Sequence, residues 1–263
     1  MTRVLSGAVL IALTIGLVWF APPALFMAAA ISLTILASHE LIELARAGGL
    51  NVSRFPSQLA ALMTLGAASI SSAPPWAMTV TLLASFLAIA FVTLGSWRGG
   101  PDALATVAVS LLPSIYLALP IAALVAIRVH GGPASLFLLM LTVIVSDSAQ
   151  YYSGRAFGRR LLAPAISPKK TVEGATGGFV FGALTLAVAG RWWLPGVPIG
   201  ARASLGLAVV AMGIAGDLFE SMLKRSAGVK DSSSLIPGHG GILDRIDALL
   251  FAAPVYYIVL NYL

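Results

Sequence analysis

Residues 221–247 read SMLKRSAGVKDSSSLIPGHGGILDRID. Nowhere else do as many as eight ionisable side chains crowd between two hydrocarbon-like segments, so this stretch separates what lies in lipid from what does not. Charge beside or within a bilayer is expensive, and a chain with only 10% charged residues that gathers them here is using them for function. The residue types indicate which. Lys224, Arg225, Lys230, Arg245 and His239 suit phosphate oxygens, while Asp231, Asp244 and Asp247 offer the hard oxygen ligands that Mg²⁺ takes. The run Pro237, Gly238, His239, Gly240, Gly241 gives a backbone that tolerates positive φ and brings bare N–H groups to an anion. A merely solvated loop would need neither His-Gly-Gly nor aspartates at set spacing.

Outward from this island the composition is that of a membrane protein. The chain has 263 residues, 59% of them hydrophobic, and a mean hydropathy of +0.95. It contains no cysteine, which excludes disulfides, thiolate metal sites and a cysteine nucleophile. The formal charge of +6 comes from basic residues in short loops between apolar runs, where positive charge records topology and anionic headgroups, so no nucleic-acid partner is expected. Arg3 ahead of the first apolar run has the look of a signal peptide, but Pro22, Pro23 and a second apolar run follow at once, and a retained helix is expected.

Only helices and closed barrels satisfy the backbone in lipid. Nine apolar runs, near 4–20, 23–38, 57–72, 75–96, 103–127, 134–153, 174–193, 203–220 and 248–263, therefore predict an all-α polytopic protein. The fifth carries Pro113 and Pro120 and reads as one kinked helix or two half-spans. Nine crossings put 13 Lys and Arg on one side and 3, namely Arg128, Arg191 and Arg202, on the other. By the positive-inside rule the N-terminus and the loops 154–173 and 221–247 face the cytoplasm and the C-terminus lies outside, in the cell membrane. Residues 1–130 read as a helical scaffold and 131–263 as the catalytic region. In SHELIELARAGG, His39, Glu40, Glu43 and Arg46 read as a helix end projecting into the cytoplasm and stopped by Gly48 and Gly49, in preference to a catalytic group.

The second half carries further polar signals. Asp147 falls inside the sixth apolar run, where a carboxylate should face a polar cavity. Ser167, Lys169, Lys170, Thr171 and Glu173, in SPKKTVEG, lead into the seventh run; paired lysines before a helix N-terminus suit a triphosphate. Asp217, Glu220, Ser221 and Lys224 are spaced to share one helix face, with Glu220 and Lys224 able to form an ion pair and Asp217, deeper in the apolar run, read as functional.

The pattern Ser221, Lys224, Arg225, Lys230, Asp231, Pro237, His239, Gly240, Gly241, Asp244, Arg245, Asp247 resembles the signature of the phosphatidate cytidylyltransferases, the CDP-diacylglycerol synthases. Residues 141–254 carry the resemblance, with Asp147, Ser148, Tyr151 and the SPKKTVEG loop matching family elements, while Ala149 and Gln150 stand where Gly and Ala are usual. The resemblance implies that CTP and phosphatidic acid become CDP-diacylglycerol and pyrophosphate at the cytoplasmic face of a lipid membrane. It assigns Asp217 and Asp244, from separate helix ends, to a divalent cation, expected to be Mg²⁺, with a second cation nearby. Lys169, Lys170, Lys224, Arg225, Lys230 and Arg245 are the phosphate-binding candidates, undivided between nucleotide and lipid. His239 either donates to a phosphate or orders the glycine loop, and Asp231 and Asp247 are expected to orient Lys230 and Arg245. A homodimer is a further expectation. The rival classes are a transporter, which would place polar groups at the midplane of both halves, and another CTP-using lipid enzyme.

Overall fold

A computed structural model describes residues 2–70, 72–236, 238 and 240–261, with side chains from residue 7 onward. Pro237 and His239, both singled out above, lie outside the described residues. Apolar side chains with no turn residues among them wind into long helices: α1 (Thr2–Phe20), α2 (Pro23–Ala47), α3 (Arg54–Ser69), α4 (Ala77–Ser96), α5 (Ala103–Leu112), α6 (Leu119–His130), α7 (Gly132–Phe157), α8 (Val172–Trp193), α9 (Ile199–Ser226) and α10 (Leu243–Leu260). Among the described residues six rods are long and apolar enough to cross a membrane: α2, α4, the joined α5–α6, α7, α8 and α9. The protein is a polytopic helical membrane protein. Broad apolar surfaces agree, with Phe20, Leu104 and Phe91 at least two-thirds exposed, which suits lipid and not water.

The fifth expected span is one rod. Pro113 lacks an N–H and would clash with the preceding turn, and the chain absorbs this in a π-helical segment, Pro113–Ala118, joining α5 to α6 without a break. At the α1–α2 corner Pro23 occupies the first turn of α2, where a missing N–H costs nothing. Arg128 crosses from α6 to donate to the Val18 carbonyl at 2.7 Å, satisfying the exposed end of α1.

The structure is not wholly helical. Within the expected loop 154–173, α7 continues to Phe157, and Leu161–Ala163 (β1) pairs antiparallel with Ser167–Thr171 (β2). The helices also outrun their apolar stretches, α2 to Ala47 and α9 to Ser226, because hydropathy marks where lipid lies and not where a hydrogen-bonded helix must stop.

Helices α7 to α10 form the frame of the site, and small residues let them approach. A Cβ on Gly182 of α8 would lie 2.4 Å from Val210 of α9, and one on Gly216 of α9 would lie 2.5 Å from the Asp247 carbonyl of α10. Close contact of this kind is how helices associate where lipid removes the hydrophobic drive between them. The core continues through Leu138, Leu139, Ile121, Leu250 and Tyr256, whose hydroxyl donates to the Ser135 carbonyl.

Candidate active site

The C-terminal end of α9 presents Asp217, Glu220, Ser221 and Lys224 on one face, since residues three and four apart are neighbours on a helix. Lys224 is 9% exposed, and its ammonium lies between the Glu220 carboxylate, itself fully buried, and Oδ1 of Asp244 in the first turn of α10. The Glu220–Lys224 ion pair expected from spacing is present, and it extends across helices to Asp244.

Asp244 is the best-satisfied carboxylate of the site. Its Oδ2 accepts from the Ser232 N–H at 3.0 Å, the Ser232 hydroxyl at 2.8 Å and the Gly241 N–H at 2.8 Å. Burial alone would raise this carboxyl, which sits ahead of the apolar run of α10, but Lys224 and the N–H donors outweigh it and hold the pKa at about 2. Gly240 adopts φ 79°, and a Cβ there would stand 2.6 Å from Asp244 Oδ2. The Gly240–Gly241 turn thus does bind an anion through backbone. Contrary to the expectation of bare N–H groups, the anion at Gly241 is the protein's own Asp244.

Glu40 completes the loop from the other half of the chain. At 3% exposed, its Oε1 accepts from Ser233 Oγ at 2.7 Å and the Ile242 N–H at 2.9 Å. Its Oε2 accepts from the Leu243 N–H at 2.8 Å and, at 2.9 Å from Ser232 Oγ, shares the single hydroxyl hydrogen with Asp244. Two of the unpaired donors at the start of α10 are met by a side chain about two hundred residues away, and its negative charge sits at the positive end of that helix. The reading of SHELIEL as a simple projecting helix end missed this. The available signal was that Glu40 shares a helix face with buried Ala37, Leu41 and Leu44, an odd place for a carboxylate with no partner. His39 is exposed, and Glu43 pairs with Arg46 and Arg54 at the surface.

The β1–β2 hairpin brings Lys170 to Asp217, where ammonium and Oδ2 form an ion pair. Lys169, its neighbour on the strand, points the other way and is exposed, as strand alternation requires. Ser167 opens β2 opposite Ala163. Thr171, expected to meet substrate, is the N-cap of α8 and accepts from the Gly174 N–H at 3.1 Å. Glu173, likewise expected at the substrate, accepts the N–H groups of Arg159 and Arg160 and ties down the turn before β1. Arg225 donates to the Val229 and Ile166 carbonyls, linking the end of α9 to the hairpin. Lys230 and Asp231 are exposed in the loop. Ser221 lies 3.5 Å from Asp217 Oδ1.

Asp147 lies within electrostatic range of Asp217 and Lys170, and Asp247 within range of Asp217, Asp147 and Lys224. Gln150, one of the two departures from the family pattern, donates to Asp147 at 3.0 Å and so supplies that carboxylate with a partner. Among the described residues no three acidic or histidine side chains converge into a ready-made metal shell. The donor set nonetheless fits a hard cation. Asp217 Oδ2 and Asp244 Oδ1 each face a lysine ammonium, a positive charge in the place a metal would take, and Mg²⁺ characteristically uses one or two carboxylates with phosphates and water completing its shell.

A family model described as the cytidylyltransferase family matches residues 1–263. Similar proteins include the phosphatidate cytidylyltransferase of Haemophilus influenzae, 48% identical over 135 residues that make up 48% of this chain and 46% of that protein. The phosphatidate cytidylyltransferase of Thermotoga maritima is 42% identical over 164 residues, 60% of each chain. That of Mycobacterium bovis is 32% identical over 278 residues, covering 99% of this chain and 90% of the relative. The match to the Haemophilus protein thus spans about half of its length.

Proposed function

The chain belongs to the cytidylyltransferase family, and from that premise we propose that it transfers the cytidylyl group of CTP to phosphatidic acid. An oxygen of the lipid phosphate attacks the α-phosphorus of CTP. A P–O bond forms there as the bond from the α-phosphorus to the bridging oxygen breaks, and pyrophosphate leaves with the electron pair. The nucleophile is already anionic near neutral pH, so no protein base is needed. What the reaction needs is alignment and cancellation of charge.

The observation that carries this reading is the meeting of Asp217, Lys170, Lys224 and Asp244 where α9, α10 and the hairpin converge. Lys170, held at Asp217, is poised for the polyphosphate. Lys224, fully paired, fixes the α9–α10 junction on which Asp217 and Asp244 stand. A Mg²⁺ held by these two carboxylates would neutralise phosphate charge. Nine crossings of the cell membrane, with this site cytoplasmic, complete the proposal: among the described residues the helical rods follow the nine apolar runs, and nine crossings would put 13 of the 16 basic residues on the site's side.

The test is product analysis of the purified protein with phosphatidate and CTP labelled at the α or the γ phosphorus. Label from the α position alone should appear in lipid. Transfer from the γ position would make it a lipid kinase, and transfer from neither would end the reading.

A further inference from the structure

Helix α10 has two faces. Asp247 and Phe251 pack against Gly216 of α9, on the side of the site described above. Ile242, Arg245, Ile246 and Leu249, spaced three and four apart, form the opposite face and line a cavity of about 320 Å³. Ile236 of the signature loop also lines it, and α1, α2, α6 and α7 supply the rest, reaching Val18 and Phe26 on either side of the α1–α2 corner. Among the described residues, Arg245 and Thr14 are the only polar ones in this wall.

Water needs two to four polar partners, which such a wall does not provide. The space is partly open and not a sealed void, so an apolar molecule can enter it. A hydrocarbon chain fits it, and a membrane is where one is available. At the polar end, Arg245 follows Asp244 directly, and among the described residues no carboxylate pairs with its guanidinium. A guanidinium is the donor best shaped to hold a phosphate by two parallel hydrogen bonds.

Building on the function proposed above, we infer that this cavity takes an acyl chain of the phosphatidate and that Arg245 takes its phosphate. Helix α10 then parts the substrates, the lipid on the Arg245 face and the nucleotide on the Asp244 face, and brings the lipid phosphate to the turn where both meet. The basic residues divide accordingly, Arg245 to the lipid and Lys170 to CTP.

The test uses the full chain in mixed micelles with CTP and either dioleoyl or dihexanoyl phosphatidate. Ala30 lines the cavity at 6% exposed, so Ala30→Leu occupies chain space. It should raise KM for the dioleoyl lipid about tenfold or more while leaving dihexanoyl phosphatidate and CTP within about twofold. Arg245→Ala should raise KM for both lipids by roughly ten- to a hundredfold without changing KM for CTP, and Arg245→Lys should recover part of the loss. Because a filled cavity could also impair folding, wild-type protein is in parallel photolabelled by a phosphatidate bearing a diazirine in one acyl chain. Label on α1, α2 and the Ile246–Leu249 face of α10 supports the assignment. Label confined to the outer surfaces of α4 and α8, an unchanged chain-length profile in Ala30→Leu, or a rise in KM for CTP in Arg245→Ala overturns it. Wild-type protein that transfers cytidylyl to neither lipid overturns the proposed function itself, a different result from transfer with an unaltered lipid profile.

Discussion

At the scale of single residues, the two aspartates expected to share a cation are not equivalent. Asp244 holds the signature loop through Ser232 and Gly241 and holds α9 through Lys224, whereas Asp217 is one-third exposed and, among the described residues, paired only with Lys170 and, at 3.5 Å, Ser221. Asp217→Asn should therefore abolish turnover while leaving the thermal unfolding midpoint unchanged. Asp244→Asn should abolish turnover and also lower that midpoint, because replacing one oxygen by an amide leaves buried donors unmet at about 1–3 kcal/mol. If the two act on one ion, the double variant should be little slower than either single one. Near-normal turnover of Asp217→Asn across a Mg²⁺ titration would remove that residue from the site. Glu40 supplies a sharper case, since none of its hydrogen bonds goes to an expected substrate-binding residue. Glu40→Gln should reduce kcat at least about tenfold and lower the unfolding midpoint, with KM for CTP little changed, because the amide turns a donor toward backbone N–H groups that need an acceptor. A variant with wild-type kcat would leave Glu40 a packing residue only.

At the scale of elements, the helices were legible because lipid imposes one pattern, a long apolar run, and α4 and α8 obey it throughout. The hairpin was not. LLAPAISPKKT is too short and too rich in proline to show an alternating pattern, and its register is set by contacts with α8 and α9. Yet the hairpin decides which of the adjacent lysines works. Strand geometry sends Lys170 to Asp217 and Lys169 to solvent. Lys170→Ala should cost about 1.5–3 kcal/mol of transition-state binding, roughly ten- to a hundredfold in kcat/KM for CTP, against a few-fold for Lys169→Ala. Equal losses would mean that the hairpin does not orient them. The sequence showed both lysines as a pair; only the backbone distinguishes them.

At the scale of the whole molecule, the contact that joins the two halves is the one that local pattern hides. Glu40 and Ser232 are 192 residues apart, and nothing within either segment points to the other. The division into a scaffold of residues 1–130 and a catalytic region of residues 131–263 is therefore porous, since the scaffold caps the catalytic helix α10. That contact also constrains topology. The C-terminal end of α2, the loop before α10 and the hairpin must lie on one side of the membrane, because Glu40 reaches the loop and Arg225 reaches the hairpin. The proposed orientation, drawn from the basic residues, puts that side inside. The chain has no cysteine, so single cysteines report cleanly. Ala165→Cys and Ser234→Cys, both at exposed positions on this side, should react with an impermeant thiol reagent only after the cytoplasmic face is opened, and Gly196→Cys, in the exposed α8–α9 turn, should react in intact cells. Labelling of Ala165→Cys and Ser234→Cys on opposite sides would contradict the fold, and labelling of both from outside would invert the orientation, putting the site where CTP is absent.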